Sequence, residues 1–443
     1  MEAAPTTGVE LRRTAERLPD ATAFHFQGRD WSYREWEAGS RRFAAALLAR
    51  GLRKGDRLGL LLPTCPEYMI AYLGAARIGM VTSGISPRYR RHEIRHILAS
   101  STPRAVIITG ARGEVDFTAL VEECRDAAPE LEHVVRFDGE GPGTFAGWMQ
   151  SGEGDAAVER AEADVRPEDP LAIVYTSGTT GPPKGAVYDS AAMIALTRLF
   201  RTRLAADPMP GTPTFWPGVS LSHVGAMARV HLQIWSAGTM VLHDHFDAAW
   251  MIRQIERLRP AALGGFPPVL MMMVRSPELA GRDFSFLRTV TFGGAPLAAH
   301  LADEVQAKLG AEVLTGYSCT ESLIISATAA ADPAGKRRST VGRPTAGVEL
   351  RIVDEARSPL EVGCTGRIAV RSPANMRGYW RNPEATARAL DSGGWLYTED
   401  VGFLDSDGFL HLVGREKETY FRGAFNVFPG EVEEVLQSHP KVS

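Results

Sequence analysis

Cysteine is scarce. The chain has four in 443 residues, Cys65, Cys124, Cys319 and Cys364, widely scattered and without a CxxC spacing. A disulfide framework and a cysteine zinc site are therefore not suggested, and a reducing compartment fits. Blocks of like charge are missing too. With 49 basic and 53 acidic residues, a net charge of -4 and no run of five or more like charges, nothing points to a nucleic-acid or anionic-membrane partner. No apolar run approaches the roughly 18 residues that span a bilayer. The opening "MEAAPTTGVELRR" lacks an apolar core of signal-peptide type. The chain reads as cytoplasmic, with a small soluble substrate and no membrane partner.

Hydrophobic residues make up 44% of the chain and charged ones 23%, enough to bury a large core over more than one unit. Apolar residues at helical spacing predict a helix over Tyr33 to Leu52, and "PEYMIAYLGAARIGMV" predicts a second. Short branched runs, "DRLGLLLP", "RAVIIT", "LAIVYT", "TMVLHDHF" and "VTFGGAPL", predict strands. Helices alternating with such strands indicate an α/β fold with layered subdomains and largely parallel sheets. "SGEGDAAVERAEADVRPEDP" and "AAADPAGKRRST" read as surface connections. From about Val348 the strands shorten between Gly and Asp turns, which predicts a small β-rich module over about 342–413. His243 and His245 in "HDH" would face one side of a strand. With no third ligand in view they read as a strand end or loop rather than a metal site.

Behind "LAIV" comes "YTSGTTGPPKG", Tyr175 to Gly185. Backbone N–H groups in a glycine-rich loop can converge on an anion, while hydroxyls and a lysine add donors and charge, so the composition points to phosphate. The loop is neither a Walker A sequence, since Pro183 precedes Lys184 and Gly185 follows it, nor a G-x-G-x-x-G, and Ser177 is not in a G-x-S-x-G elbow. It resembles the phosphate-binding loop of the adenylate-forming superfamily: acyl-CoA synthetases, aryl-CoA ligases, peptide-synthetase adenylation domains and luciferases. "WSYREWEAGSRRFAAALLARGLRKGDRLGLLLP", "LSHVGAM", "GGAPL", "TGYSCTES", "VGRPTAGVELRIVD", "GYWRNPEAT", "GWLYTEDVGFLDSDGFLHLVGREKE" and "NVFPGEVEEVL" are similar to that family's other motifs, in family order, over nearly the whole chain.

The resemblance implies an ATP-dependent ligase for a small-molecule carboxylic acid, using Mg²⁺ and an acceptor such as coenzyme A. It implies that Thr176, Ser177, Gly178, Thr179, Thr180, Gly181 and Lys184 hold the β- and γ-phosphates. It gives adenine stacking to Tyr317, the α-phosphate to Thr320 and Mg²⁺ to Glu321. Gly293, Gly294, Ala295 and Pro296 would receive the adenine base, and Asp400 and Arg415 the ribose. His223, Gly265, Phe266, Gly294, Gly316 and Cys319 are the implied walls of the acid pocket. Residues 1–417 would form the large N-terminal domain. Residues 418–443 would be a hinge at Glu418 and the start of a truncated small C-terminal α+β domain, which in the family carries the lysine that bridges carboxylate and α-phosphate. Departures from the family pattern are Ser190 for histidine, Arg367 for glutamate, Glu399 for glycine, and Ala424 for a glycine beside the acceptor tunnel. The last leaves a carrier protein, an amine or another small nucleophile open as acceptor, and a catalytically silent nucleotide-binding protein is the remaining alternative. The oligomeric state is open, a homodimer included.

Overall fold

The computed structural model of the protein describes residues 5–150, 154–176, 182–204, 213–214, 220–294, 299–416, 420–422 and 425–427. Its centre is a seven-stranded sheet with the spatial order Gly378–Tyr379, Gly185–Asp189, Pro170–Tyr175, Val81–Gly84, Arg57–Leu61, Ala105–Ile108 and His133–Arg136. The five strands from Pro170–Tyr175 onward run parallel. Gly185–Asp189 and Gly378–Tyr379 close one edge antiparallel. Arg57–Leu61 and Ala105–Ile108 are buried along their whole length, as strands covered on both faces must be.

The helix Tyr33–Ala49 begins at a reciprocal cap. The Ser32 Oγ accepts from the Glu35 backbone N–H at 3.1 Å, and a Glu35 carboxylate oxygen accepts from the Ser32 backbone N–H at 2.8 Å. Its apolar face buries Trp36, Phe43 and Leu47 completely against the helix Pro66–Arg77. Each such side chain stabilises the fold by about 1.5–3 kcal/mol. Both helices end a turn before the sequence expectation. Arg50 and Gly51 turn the first, and Val81, expected at the end of the second, opens a strand instead.

A second sheet runs in the order Ala262–Gly265, Thr289–Gly293, Glu312–Cys319, Ser322–Ala327 and Arg343–Pro344; its first three strands are parallel and the rest antiparallel. The third is wholly antiparallel: Glu349–Val353, Gly366–Arg371, Leu396–Leu404 and Leu410–Arg415. A smaller sheet pairs Thr22–Phe26 with Arg29–Ser32 and Thr239–Val241. The chain is thus a mixed α/β protein.

Several expectations are corrected. "TMVLHDHF" is strand only over Thr239–Val241, so His243 to His245 lie beyond it. The stretch read as a first surface connection contains the helix Asp155–Ala163, and the second contains Ala334–Ser339. The first helix is docked by Glu162, which meets the fully buried Arg77 at 2.9 Å. Two short strands, Tyr420–Arg422 and Phe425–Val427, pair antiparallel, and Glu418 and Ala424 lie outside the described residues. Among the described residues, no helix is long and apolar enough to cross a membrane.

Candidate active site

A cleft of about 1030 Å³ is lined from all three larger sheets. The glycine-rich loop joins the antiparallel strands Pro170–Tyr175 and Gly185–Asp189. At its base the Thr176 N–H donates to the Lys184 carbonyl at 3.0 Å, and the Lys184 N–H to Thr176 Oγ1 at 3.4 Å. Ser177, Gly178, Thr179, Thr180 and Gly181 lie outside the described residues. The Lys184 ammonium stands 4.7 Å from the centre of the Tyr379 ring and 4.0 Å from Glu399 Oε1. Half-exposed, that ion pair contributes little to stability.

Thr320 and Glu321 form the turn between Glu312–Cys319 and Ser322–Ala327. This turn is held from both sides. The buried Tyr188 hydroxyl donates to the Thr320 carbonyl at 2.6 Å, and the Met376 N–H donates to the Glu321 carbonyl at 2.9 Å. The Tyr379 hydroxyl donates to Glu321 Oε1 at 2.6 Å. Burial and the Glu321 charge push the Tyr379 pKa up, so the hydroxyl keeps its proton. Among the described residues, no other donor reaches the Glu321 carboxylate. One oxygen is thereby oriented by a phenol and the other is left as a hard anionic ligand, a donor suited to Mg²⁺ together with phosphate oxygens and water.

Tyr317 is buried, and its hydroxyl donates to Asp400 Oδ2 at 2.6 Å. Burial and Asp400 raise its pKa well above the phenol range. Asp400 and Arg415 are cross-strand partners, and Arg415 Nε donates to Asp400 Oδ1 at 3.2 Å. A carboxylate has about four acceptor positions, so two remain for a ligand.

Toward the other end, His223 caps the helix Val224–Ser236, its Nδ1 accepting from the Gly225 N–H at 3.0 Å. Its ring stands edge-on to Phe266 with centroids 5.7 Å apart, and desolvation by the cleft walls lowers its pKa. Gly294 has φ +80°, and a Cβ there would lie 2.7 Å from Phe266 Cδ1. The Phe266 ring thus packs directly against Gly294, both of them expected walls of the acid pocket. Gly293 is different: among the described residues, a Cβ there would meet nothing nearer than the Gly316 carbonyl oxygen at 3.8 Å, so toward them this position keeps an open face. Ala295 and Pro296 lie outside the described residues. Gly316 and Cys319 line the cleft. Burial, with Glu321 and Asp400 nearby, pushes the Cys319 thiol up, so it stays protonated and serves as wall. Gly265, expected as a wall, sits behind it, buried against Leu270. Ile324, also lining the cleft, has φ +54°, a left-handed conformation that costs a β-branched residue about 1–3 kcal/mol.

Besides Glu399, two departures acquire partners. Ser190 hydrogen-bonds the Thr7 side chain at 3.0 Å, tying the N-terminal helix to the start of the helix Ser190–Leu204 that follows the loop's second strand. Arg367 donates to both carboxylate oxygens of Glu416, at 2.6 and 2.8 Å. Sequence reasoning missed Tyr188 and Tyr379. Tyr379 stood inside the quoted motif "GYWRNPEAT", but nothing in the string says that its hydroxyl reaches a residue 58 positions earlier.

A family model described as "AMP-binding enzyme" matches residues 11–380. The 4-coumarate–CoA ligase 3 of Oryza sativa subsp. japonica is 33% identical over 431 residues, covering 94% of this chain and 74% of that protein. The fatty acid–[acyl-carrier-protein] ligase ScoC of Streptomyces coeruleorubidus is 30% identical over 440 residues, covering 97% and 80%. Among solved structures, amide bond synthetase McbA from Marinactinospora thermotolerans superposes with a TM-score of 0.84 at 27% identity, covering 98% of this chain and 84% of that one.

Proposed function

Since the chain belongs to the AMP-binding enzyme family, we propose that it is an ATP-dependent acid ligase that activates a small carboxylic acid as its acyl-adenylate and passes the acyl group to coenzyme A. In the first step a carboxylate oxygen bonds to the α-phosphorus of ATP, and the bond to pyrophosphate breaks. In the second, a thiolate sulfur bonds to the acyl carbon and AMP leaves. Catalysis of the first step is mostly positioning and neutralisation of phosphate charge.

The observation that carries this reading is the convergence of three polar groups on one cleft: Lys184, the Tyr379–Glu321 pair, and the Tyr317–Asp400–Arg415 chain. Lys184 supplies a cation to the departing pyrophosphate, with the glycine-rich loop adding backbone donors. Thr320 contacts the α-phosphate. Tyr317 and the open face of Gly293 receive adenine. Asp400, held by Tyr317 and Arg415, accepts the ribose hydroxyls. Mg²⁺, when bound, neutralises phosphate oxygens, and Glu321 is the residue that would hold it. The acid lies toward His223, Phe266, Gly316 and Cys319.

The test is pyrophosphate release across a panel of aliphatic and aromatic acids, run with and without coenzyme A, alongside calorimetric ATP binding. Acid-dependent release is expected. Absence of both release and ATP binding would overturn the proposal, while ATP binding without release from any acid would favour a silent nucleotide-binding protein. A second reading, in which the acceptor is a carrier protein or amine, is favoured by Ala424 in place of the family's glycine. Under it the adenylate forms readily, thioester forms slowly, and Ala424→Gly speeds only the second step. Single-turnover transfer to coenzyme A separates the two.

A further inference from the structure

We propose that Tyr379 is a positioning residue that fixes the separation of Lys184 and Glu321, so that the phosphate-side cation and the metal-side carboxylate are set by one ring. The inference rests on the roles given to those two residues above. It starts from a side chain that works at both ends. The hydroxyl donates to Glu321 Oε1 at 2.6 Å while the ring face lies 4.7 Å from the Lys184 ammonium.

The ring has little freedom to move. Tyr379 is buried and sits on the strand Gly378–Tyr379, paired with Ala186 across the sheet. On either side the Arg377 N–H donates to the Val187 carbonyl at 2.8 Å and the Trp380 N–H to the Gly185 carbonyl at 2.7 Å. Its own N–H donates to Thr386 Oγ1 at 2.8 Å. The same segment holds the other partner. Asn375 accepts from the Ser322 hydroxyl at 2.7 Å, and the Met376 N–H binds the Glu321 carbonyl. The six-residue stretch 375–380 therefore grips the lysine's strand and the carboxylate's turn together. A phenol suits both ends: a protonated hydroxyl can only donate to a carboxylate that offers it no proton, and the ring face attracts an ammonium.

Tyr379→Phe keeps the ring and deletes the hydroxyl; Tyr379→Leu removes both. The measurement is calorimetric binding of a non-hydrolysable ATP analogue over a range of Mg²⁺, with Glu321→Gln and Lys184→Ala as references and circular dichroism to confirm folding. In Tyr379→Phe the Mg²⁺ midpoint should rise about tenfold, the scale of a lost hydrogen bond to a charged group. Its analogue affinity at saturating Mg²⁺ should stay within about twofold. Tyr379→Leu should also lose about threefold in that saturated affinity, the scale of an exposed cation–π contact. If Glu321→Gln shifts the midpoint and Tyr379→Phe does not, the positioning role is wrong and the functional reading stands. If neither shifts it, Glu321 does not hold the metal and the functional reading itself falls.

Discussion

Lys184 and Glu321 face one cleft, yet their removal should fail in different ways. Under the proposed function, Lys184→Ala deletes a charge aimed at the leaving group and should slow pyrophosphate formation by about 10²-fold at any Mg²⁺ concentration. Glu321→Gln keeps the shape and would weaken the proposed metal ligand, so added Mg²⁺ should restore part of the rate. Steady-state pyrophosphate release over a Mg²⁺ series distinguishes them, and rates insensitive to both changes would remove the site. Gly294 is also constrained by packing. An alanine there must adopt φ +80° and push its Cβ into the Phe266 ring, so Gly294→Ala should lose about 1–3 kcal/mol in urea unfolding. An unchanged midpoint would mean that the ring has room to move. The sequence motifs named the polar residues of the cleft because each sits in a short, recognisable string. They placed Phe266 and Gly294 in one pocket wall, but not in direct contact, since that depends on two strands and a helix meeting.

The helix Val224–Ser236 shows what burial does to one element. His231 is buried, its Nε2 sharing a hydrogen bond with the Tyr72 hydroxyl at 2.8 Å, and burial pushes its pKa down from 6.5 to about 3. Between those values the unfolded chain takes up a proton that the folded one refuses. Folding is therefore penalised as pH falls through that window, by about 1.4 kcal/mol per pH unit, and the penalty vanishes above 6.5. The parent should lose stability relative to His231→Gln between pH 6 and 4 at that slope; parallel curves from urea titrations would show that His231 protonates in place. Legibility at this scale followed locality. The helix Tyr33–Ala49 was readable from its apolar spacing, as was the strand Arg57–Leu61 from its composition. Asp155–Ala163 was not, because its polar string acquires a buried face only when Glu162 meets Arg77, 85 positions away, and Arg12.

At the scale of the molecule, the seven-stranded sheet ends on a strand of two residues, Gly378–Tyr379. The ion pair between Arg377 and Asp189 fastens that end: the Asp189 carboxylate is buried, accepts from Arg377 at 3.0 Å through one oxygen, and also caps the following helix at Ala192. Arg377→Ala would strand a buried carboxylate. Because the guanidinium itself is 44% exposed, the expected loss is about 1–3 kcal/mol in urea unfolding rather than the larger cost of breaking a fully enclosed pair. The short strand also hides something. Behind it lies Gly185–Asp189, buried throughout and mostly apolar, whose outer backbone groups would otherwise form an unpaired sheet edge able to recruit a second chain. The segment that aligns the cleft therefore doubles as a guard against self-association. Arg377→Ala should scatter more light with rising protein concentration under mild denaturant, so variants selected at this cleft will be limited by solubility as well as by chemistry.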